Sequence, residues 1–327
     1  MKEKIGSFLA VICLLIAVIV LSATSGSIQV STVELIQGIF SGTNEQVEVI
    51  KDLRFPRIII AFFAGAALAV SGVLLQAVMR NPLADASVIG ISSGAGFLSL
   101  LAVSFFPTLF FWMPLFAFAG GALACFLVYT FSWKKGLSPV RIILVGVAIN
   151  AVFSGLSQSF NYRGSYAAAS VNLATTSTLS MKKWTDVEVM VLYGSIGLVL
   201  AFLLYAWCNF TVLQEKTAKN LGFPITRARL FISAVAVLLA AVATAIAGVI
   251  AFIGLLIPHI ARQLIGSDHK LLIPFSALSG GLLLLGADTI GRTILAPNEI
   301  PASIIMSIIG GPFLIFLLRK SERVHGN

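Results

Sequence analysis

Residues 58–78 form a run of 21 positions without a charged side chain, bracketed by Arg57 on one side and Arg80 on the other. A helix needs about 20 apolar residues to cross ~30 Å of hydrocarbon, so this stretch belongs either in a bilayer or inside a very large core. Composition closes the second route. Of 327 residues, 58% are hydrophobic and 11% charged, too little polar surface to cover a soluble domain. Within the run, Gly65, Ala66, Ala67, Ala69, Ser71 and Gly72 make a face of small side chains, the kind that lets helices approach closely in lipid.

Similar runs recur along the chain. Spans are expected near residues 5–21, 58–78, 88–106, 110–131, 142–160, 189–210, 230–247, 249–265, 271–290 and 300–318. The stretch 230–265 holds 36 residues, too many for one crossing, and a tight turn near Thr244 to Gly248 is expected to divide it. The first span follows Lys2 and Lys4 and has an apolar core of 17 residues. That is longer than the ~7–15 of a signal peptide, and the segment reads as a retained helix.

Lys and Arg concentrate in cytoplasmic loops. With the N-terminus inside, 15 of the 22 basic residues fall on the cytoplasmic side and seven outside. Joining the seventh and eighth spans would send Lys270, Arg319, Lys320 and Arg323 outward, against that bias. The reading is an all-α polytopic membrane protein with about ten transmembrane helices, a single transmembrane domain over 1–327 with both termini cytoplasmic. The formal charge of +9 is spread over short loops and forms no stripe for nucleic acid. Cys13, Cys125 and Cys208 each lie in an apolar run and read as packing residues, with no disulfide or zinc spacing.

The outer arginines oppose the orientation bias. Arg54 and Arg57 flank Phe55 and Pro56, and proline is tolerated in the first turn of a helix because those amides lack intrahelical partners. A rigid guanidinium pair at a helix start either snorkels to lipid headgroups or receives carboxylates from a partner in forked geometry. Arg292 is the third of these outer arginines. Asp288, near the outer end of the ninth span, is either a proton relay or a local partner of Arg292. Arg80 to Asp85 reads as an ordinary cytoplasmic turn, and His259 lies toward the inner end of the eighth span. There is no Gly-rich phosphate loop ending in Lys and Ser or Thr and no cluster of nucleophile, base and metal ligands. Catalysis is therefore not expected in the chain, and energy must come from elsewhere.

The cytoplasmic corner 214–230 reads QEKTAKNLGFPITRARL. Glu215 to Leu221 suits a short helix, Gly222 its C-terminal turn, and Pro224 stops continuation. Such a corner is either a solvated loop or a lever for an outside motor protein.

At this point several motifs coincide. RFPR (Arg54 to Arg57), GAALAVSGVLLQ (Gly65 to Gln76), RNPLAD (Arg80 to Asp85), GLLIPHIAR (Gly254 to Arg262), GSDHKLLIP (Gly266 to Pro274), ADTIGR (Ala287 to Arg292) and EIPASIIMSIIGGPFLIFLL (Glu299 to Leu318) follow one another over about 260 residues. In this order they resemble the permease subunits of ABC importers for iron siderophores, haem and cobalamin, the FecCD or type II import permeases. The resemblance implies about ten helices per subunit and a second permease subunit, identical or paralogous. It also implies an ATP-binding subunit pair, an extracytoplasmic substrate-binding lipoprotein and a location in the bacterial cytoplasmic membrane, with no cofactor bound by this chain.

The implied substrate is an iron(III) chelate, a siderophore including ferric citrate, with haem or cobalamin as alternatives. A proton-driven carrier in which Asp288 titrates is the alternative from another class. By the same resemblance, Arg54, Arg57 and Arg292 match positions that receive acidic residues from the two lobes of a binding protein. The corner with Glu215, Ala218, Leu221, Gly222 and Pro224 matches the coupling helices that seat in the ATPase, with Ala218, Leu221 and Gly222 as packing positions. The outer segment 161–189 departs from the family's aromatic and glycine-rich stretch. Here it is Ser- and Thr-rich, and Asn172, Thr175, Thr176, Ser177 and Thr178 either contact an oxygen-rich chelate along the path or belong to a solvated loop or short re-entrant helix.

Overall fold

Helices are numbered in chain order. They are α1 (Lys2–Thr24), α2 (Glu45–Met79), α3 (Ile91–Phe105), α4 (Met113–Ser132), α5 (Pro139–Asn161) and α6 (Trp184–Leu203), then α7 (Tyr205–Val212), α8 (Ile225–Ala247), α9 (Ile253–Ile265), α10 (His269–Thr293) and α11 (Ala302–His325). A 3-10 segment, Pro107–Trp112, links α3 to α4. The computed structural model describes residues 2–25, 34, 37, 45–132, 139–161, 179–213, 220, 222–296 and 298–325. Among the described residues, seven helices are long and apolar enough to cross a membrane, and three shorter apolar ones are Ile91–Phe105, Ile253–Ile265 and Ala302–Phe316. Together they match the ten expected spans one for one, with α7 continuing the sixth span beyond a break at Leu204.

The 35 residues of α2 extend about 52 Å at ~1.5 Å per residue, well beyond the hydrocarbon thickness. The helix begins at Glu45, not at the proline, so Pro56 stands inside it. The extra turns are amphipathic. Val47, Ile50 and Arg54 are buried while Glu48, Lys51, Asp52 and Leu53 are exposed, a spacing of three and four that marks one helix face. The charges of this stretch hid that period in the sequence.

Around α2 the small residues are shared among several neighbours. Gly65 faces Gly280 of α10, where a Cβ would stand 2.2 Å from the Gly280 carbonyl oxygen. Gly72 faces Gly254 of α9, with the Gly254 oxygen 1.9 Å from such a Cβ. Ser71 Oγ donates to the Ala236 carbonyl of α8 at 2.8 Å. The two glycines are seven residues, about two turns, apart and so share a face. The small face of the first motif is thus a seat for three helices. A third backbone contact of this kind joins Gly94 of α3 to Gly120 of α4.

Helices α3 and α9 have 15 and 13 residues, about 22 and 20 Å, and each is preceded by irregular chain. Residues 81–90 lead into α3 and 248–252 into α9. Non-helical backbone is tolerated at membrane depth only inside protein or beside an aqueous cavity, and here both segments are mostly buried, with Pro82 and Val249 their exposed positions. The Asp85 carboxylate accepts from the Ser87 hydroxyl and has the backbone N–H groups of Ala86, Ser87 and Phe252 close by. Asn81, Ala84, Asp85 and Ala86 are all buried.

This corrects the reading of Arg80 to Asp85 as an ordinary turn. A carboxylate with that many donors within reach is cheaper to bury than to strand in water-free surroundings alone. Arg80 itself is held in the left-handed region at φ 50°. Its guanidinium donates to the Thr211 carbonyl at 2.8 Å and to the Leu213 carbonyl, satisfying acceptors that the end of α7 leaves open. The break between α8 and α9 falls where it was expected: α8 stops at Ala247, and Gly248 follows at φ 81°.

Two of the cysteines, Cys125 and Cys208, are buried, whereas Cys13 is exposed on α1. The packing role expected of all three therefore holds for two. The reason is that α1 turns most of its apolar surface away from the bundle, with Leu9, Leu14 and Ile16 more than half exposed.

Candidate functional site

At the end of the bundle where α1 stops, the charged side chains of α2, α10 and the 294–301 connection converge. Arg57 donates through Nε and Nη2 to Asp288, with Nε 3.1 and 2.8 Å from the two carboxylate oxygens and Nη2 2.8 Å from Oδ1. Its Nη1 donates to both oxygens of Glu299, at 3.1 and 2.9 Å. One guanidinium therefore holds two carboxylates, the forked arrangement that arginine makes and lysine does not. Glu299 also accepts from the Ser180 hydroxyl at 2.7 Å, tying the segment before α6 to the one before α11. Burial by itself would raise the Glu299 carboxyl. The hydrogen bonds from Ser180 and Arg57 outweigh it and hold this group below its usual range.

The other two arginines turn toward α1. Arg54 Nη1 donates to the Ala23 carbonyl at 2.7 Å. Arg292 donates to the Ser25 carbonyl at 3.2 Å, to the Ser22 hydroxyl at 2.7 Å and to the Ser22 carbonyl. The last carbonyls of a helix lack intrahelical donors and carry the negative end of its dipole, so two cations close the C-terminus of α1. Both are buried, at 7% and 8% exposure. Arg54, Arg57 and Arg292 thus share one end of the bundle, as their sequence positions suggested, but they do not stand outward as a set. Asp288, expected beside Arg292, lies 4.0 Å from it and is bound chiefly to Arg57. Nearby, the Trp184 indole N–H donates to Asp52 at 3.2 Å, fastening the start of α6 to α2.

Of the corner at the opposite end, Gly222 adopts φ 71°, the left-handed turn expected after a short helix, and Pro224 stands at the N-terminus of α8. Glu215, Ala218 and Leu221 lie outside the described residues, as do Asn172, Thr175, Thr176, Ser177 and Thr178.

A cavity of about 300 Å³ opens between α3, α5 and the broken junction after α8. Its polar lining includes Ser93 and Ser99 of α3, Asn150, Ser154 and Gln158 of α5, and Thr244 of α8, and none of the described lining residues is charged. Ser93 and Ser99 spend their protons on the Gly90 and Ala95 carbonyls. The buried Thr244 hydroxyl has no partner among the described residues. Such a surface offers hydrogen bonds to a solute. The sequence reading passed over these residues, although Asn150, Ser154, Ser157 and Gln158 recur at spacings of four, three and one on α5, a legible polar stripe.

The family model for FecCD transport proteins matches residues 14–320. The chain belongs to the FecCD transport family. Over 322 residues it is 40% identical to the probable heme-iron transport system permease protein IsdF of Staphylococcus aureus strain MSSA476, covering 98% of each chain. The protein of the same name from S. aureus strain Newman is similar to the same extent. Among solved structures, a metal-chelate type ABC transporter in an inward-facing conformation is similar at a TM-score of 0.79 and 29% identity, over 98% of this chain and 99% of that one. PsaBC from Streptococcus pneumoniae, solved in complex with a Fab, shares the fold at a TM-score of 0.60 and 17% identity, over 88% and 95% of the two chains. The chain is thus a multi-pass membrane permease of the FecCD type, a transport subunit and not a catalytic one.

Proposed function

We propose that this FecCD permease moves an iron(III) chelate into the cell as one half of a paired pathway, with the Arg57 end facing outward and the Gly222 corner facing an ATPase. The observation that carries the reading is the charge cluster on Arg57. The bundle concentrates Arg54, Arg57 and Arg292 at one end, and Arg57 already binds carboxylates in forked geometry, chemistry suited to an acidic extracytoplasmic binding protein. Haem is favoured over a ferric siderophore as the chelate, because relatives 40% identical over nearly the full length bear a heme-iron name. The uncharged hydroxyl and amide lining of the cavity beside α5 suits passage of a chelate that carries its own charges. The exposed apolar side chains of α5, among them Leu144, Val147 and Val152, suit burial against a second permease. Drive comes from a separate ATPase pair, whose closure rocks the two permeases as rigid bodies.

The test is Arg57→Glu in the assembled transporter. Charge reversal is expected to lower capture of the binding protein by tenfold or more, about 1.4 kcal/mol, and to lower haem uptake with it. Unchanged capture in nanodiscs would remove the docking reading, and uptake of ferric citrate in preference to haem would replace the substrate.

A further inference from the structure

We infer that Glu299 is an internal stand-in for the binding protein's carboxylate, and that docking proceeds by exchange of one carboxylate for another on Arg57. The inference rests on the outward docking role proposed above. Of the two carboxylates on Arg57, Asp288 is 1% exposed and Glu299 42%. Asp288 occupies Nε and Nη2 from within the bundle, and Glu299 occupies Nη1 from the solvent side. The Arg57 side chain is itself 11% exposed, and its reachable edge is the one that Glu299 covers. A carboxylate arriving from outside therefore meets Arg57 only as Glu299 withdraws. Arg54 and Arg292 offer no equivalent edge, since each is buried against the end of α1.

Such an exchange replaces like with like, so the electrostatic cost of stripping water from Arg57 does not recur when the partner arrives. It also has a structural consequence. The Ser180 hydroxyl donates to the Glu299 oxygen that Arg57 holds at 2.9 Å. Withdrawal of Glu299 breaks that tie, releasing the segment that precedes α6 from the one that precedes α11. Docking and loosening of the outer connection are then one event at one side chain.

The experiment measures capture of the labelled binding protein of the same import system by the permease–ATPase complex in nanodiscs, for wild type, Glu299→Gln, Arg57→Gln and the double variant. Removing the internal competitor is expected to tighten capture about two- to fivefold, the range of a partly exposed ion pair. In the Arg57→Gln background the Glu299→Gln gain is expected to vanish, because there is no guanidinium left to contest. Ser180→Ala is expected to shift capture in the same direction by a smaller factor. Weaker capture by Glu299→Gln would mean that Glu299 positions Arg57, and would overturn the exchange. A gain that persists without Arg57 would mean simple repulsion of an acidic partner, and would overturn it too. If Arg57→Gln leaves wild-type capture unchanged, the docking reading itself fails, an outcome separate from both.

Discussion

Gln76 shows how a single side chain repairs a defect imposed elsewhere in the chain. Pro258 lies inside α9 and has no N–H to give the Gly254 carbonyl one turn earlier. The Gln76 amide of α2 supplies that donor at 3.0 Å across 178 residues of sequence, and its oxygen accepts from Arg262 Nη1 at 2.6 Å. Gln76→Leu removes both bonds and leaves a buried carbonyl and a mostly buried guanidinium without them. A loss of about 3 kcal/mol is expected from such orphaned groups, read as a lowered melting temperature of the purified protein in detergent. Gln76→Glu keeps the acceptor for Arg262 and is expected to lose less. An unaltered melting curve for Gln76→Leu would show that α9 does not depend on the repair. Nothing in the sequence pairs Gln76 with Gly254, although both lie in motifs quoted for the family resemblance. The same holds for Glu299 with Arg57. The residues were legible, and their partners were not, because hydrogen bonds between distant segments leave no period to read.

Among elements, α2 carries the most structure on its smallest residues. The backbones of α9 and α10 come so near Gly72 and Gly65 that a side-chain carbon has no room at either position. Gly72→Val is therefore expected to prevent accumulation of folded protein in the membrane, an overpacking cost of about 3 kcal/mol or more that cannot relax because the clash is with backbone. Gly286→Ala on α10, where a Cβ would meet nothing within 4 Å, is expected to leave expression and melting unchanged. Equal expression of Gly72→Val and wild type would contradict the close approach. The small face could be read from the sequence, as could the ten spans, because lipid imposes length and apolarity on every crossing. The first turns of α2 and the shortness of α3 and α9 could not. Hydropathy scores a window without knowing that Asp85 stands ready to receive the Phe252 amide.

For the whole molecule, the proposed motion needs a stiff link between an ATPase and the helices that shift. Gly222 sits at φ 71°, where proline, fixed near −65°, does not fit. Gly222→Pro is expected to leave the protein in the membrane while ATP hydrolysis continues without transport, with uptake reduced about tenfold or more if the corner transmits the stroke. Normal uptake with a normal ratio of ATP hydrolysed to substrate moved would dismiss the corner as a coupling element.

Sequence by itself determined that this chain spans a membrane about ten times, where its long apolar stretch divides, and which family's motifs it carries. Those are properties of length, apolarity and local order, which each segment bears alone. Only the tertiary structure decided what the charged residues do. It turned Arg54 and Arg292, two of the three arginines read as outward, into the cap of α1, gave Arg57 two carboxylates, and made Glu299 the exposed one. In surroundings without water a charge is stable only beside a partner that satisfies it, and which partner that is depends on helices that meet only when the chain is folded.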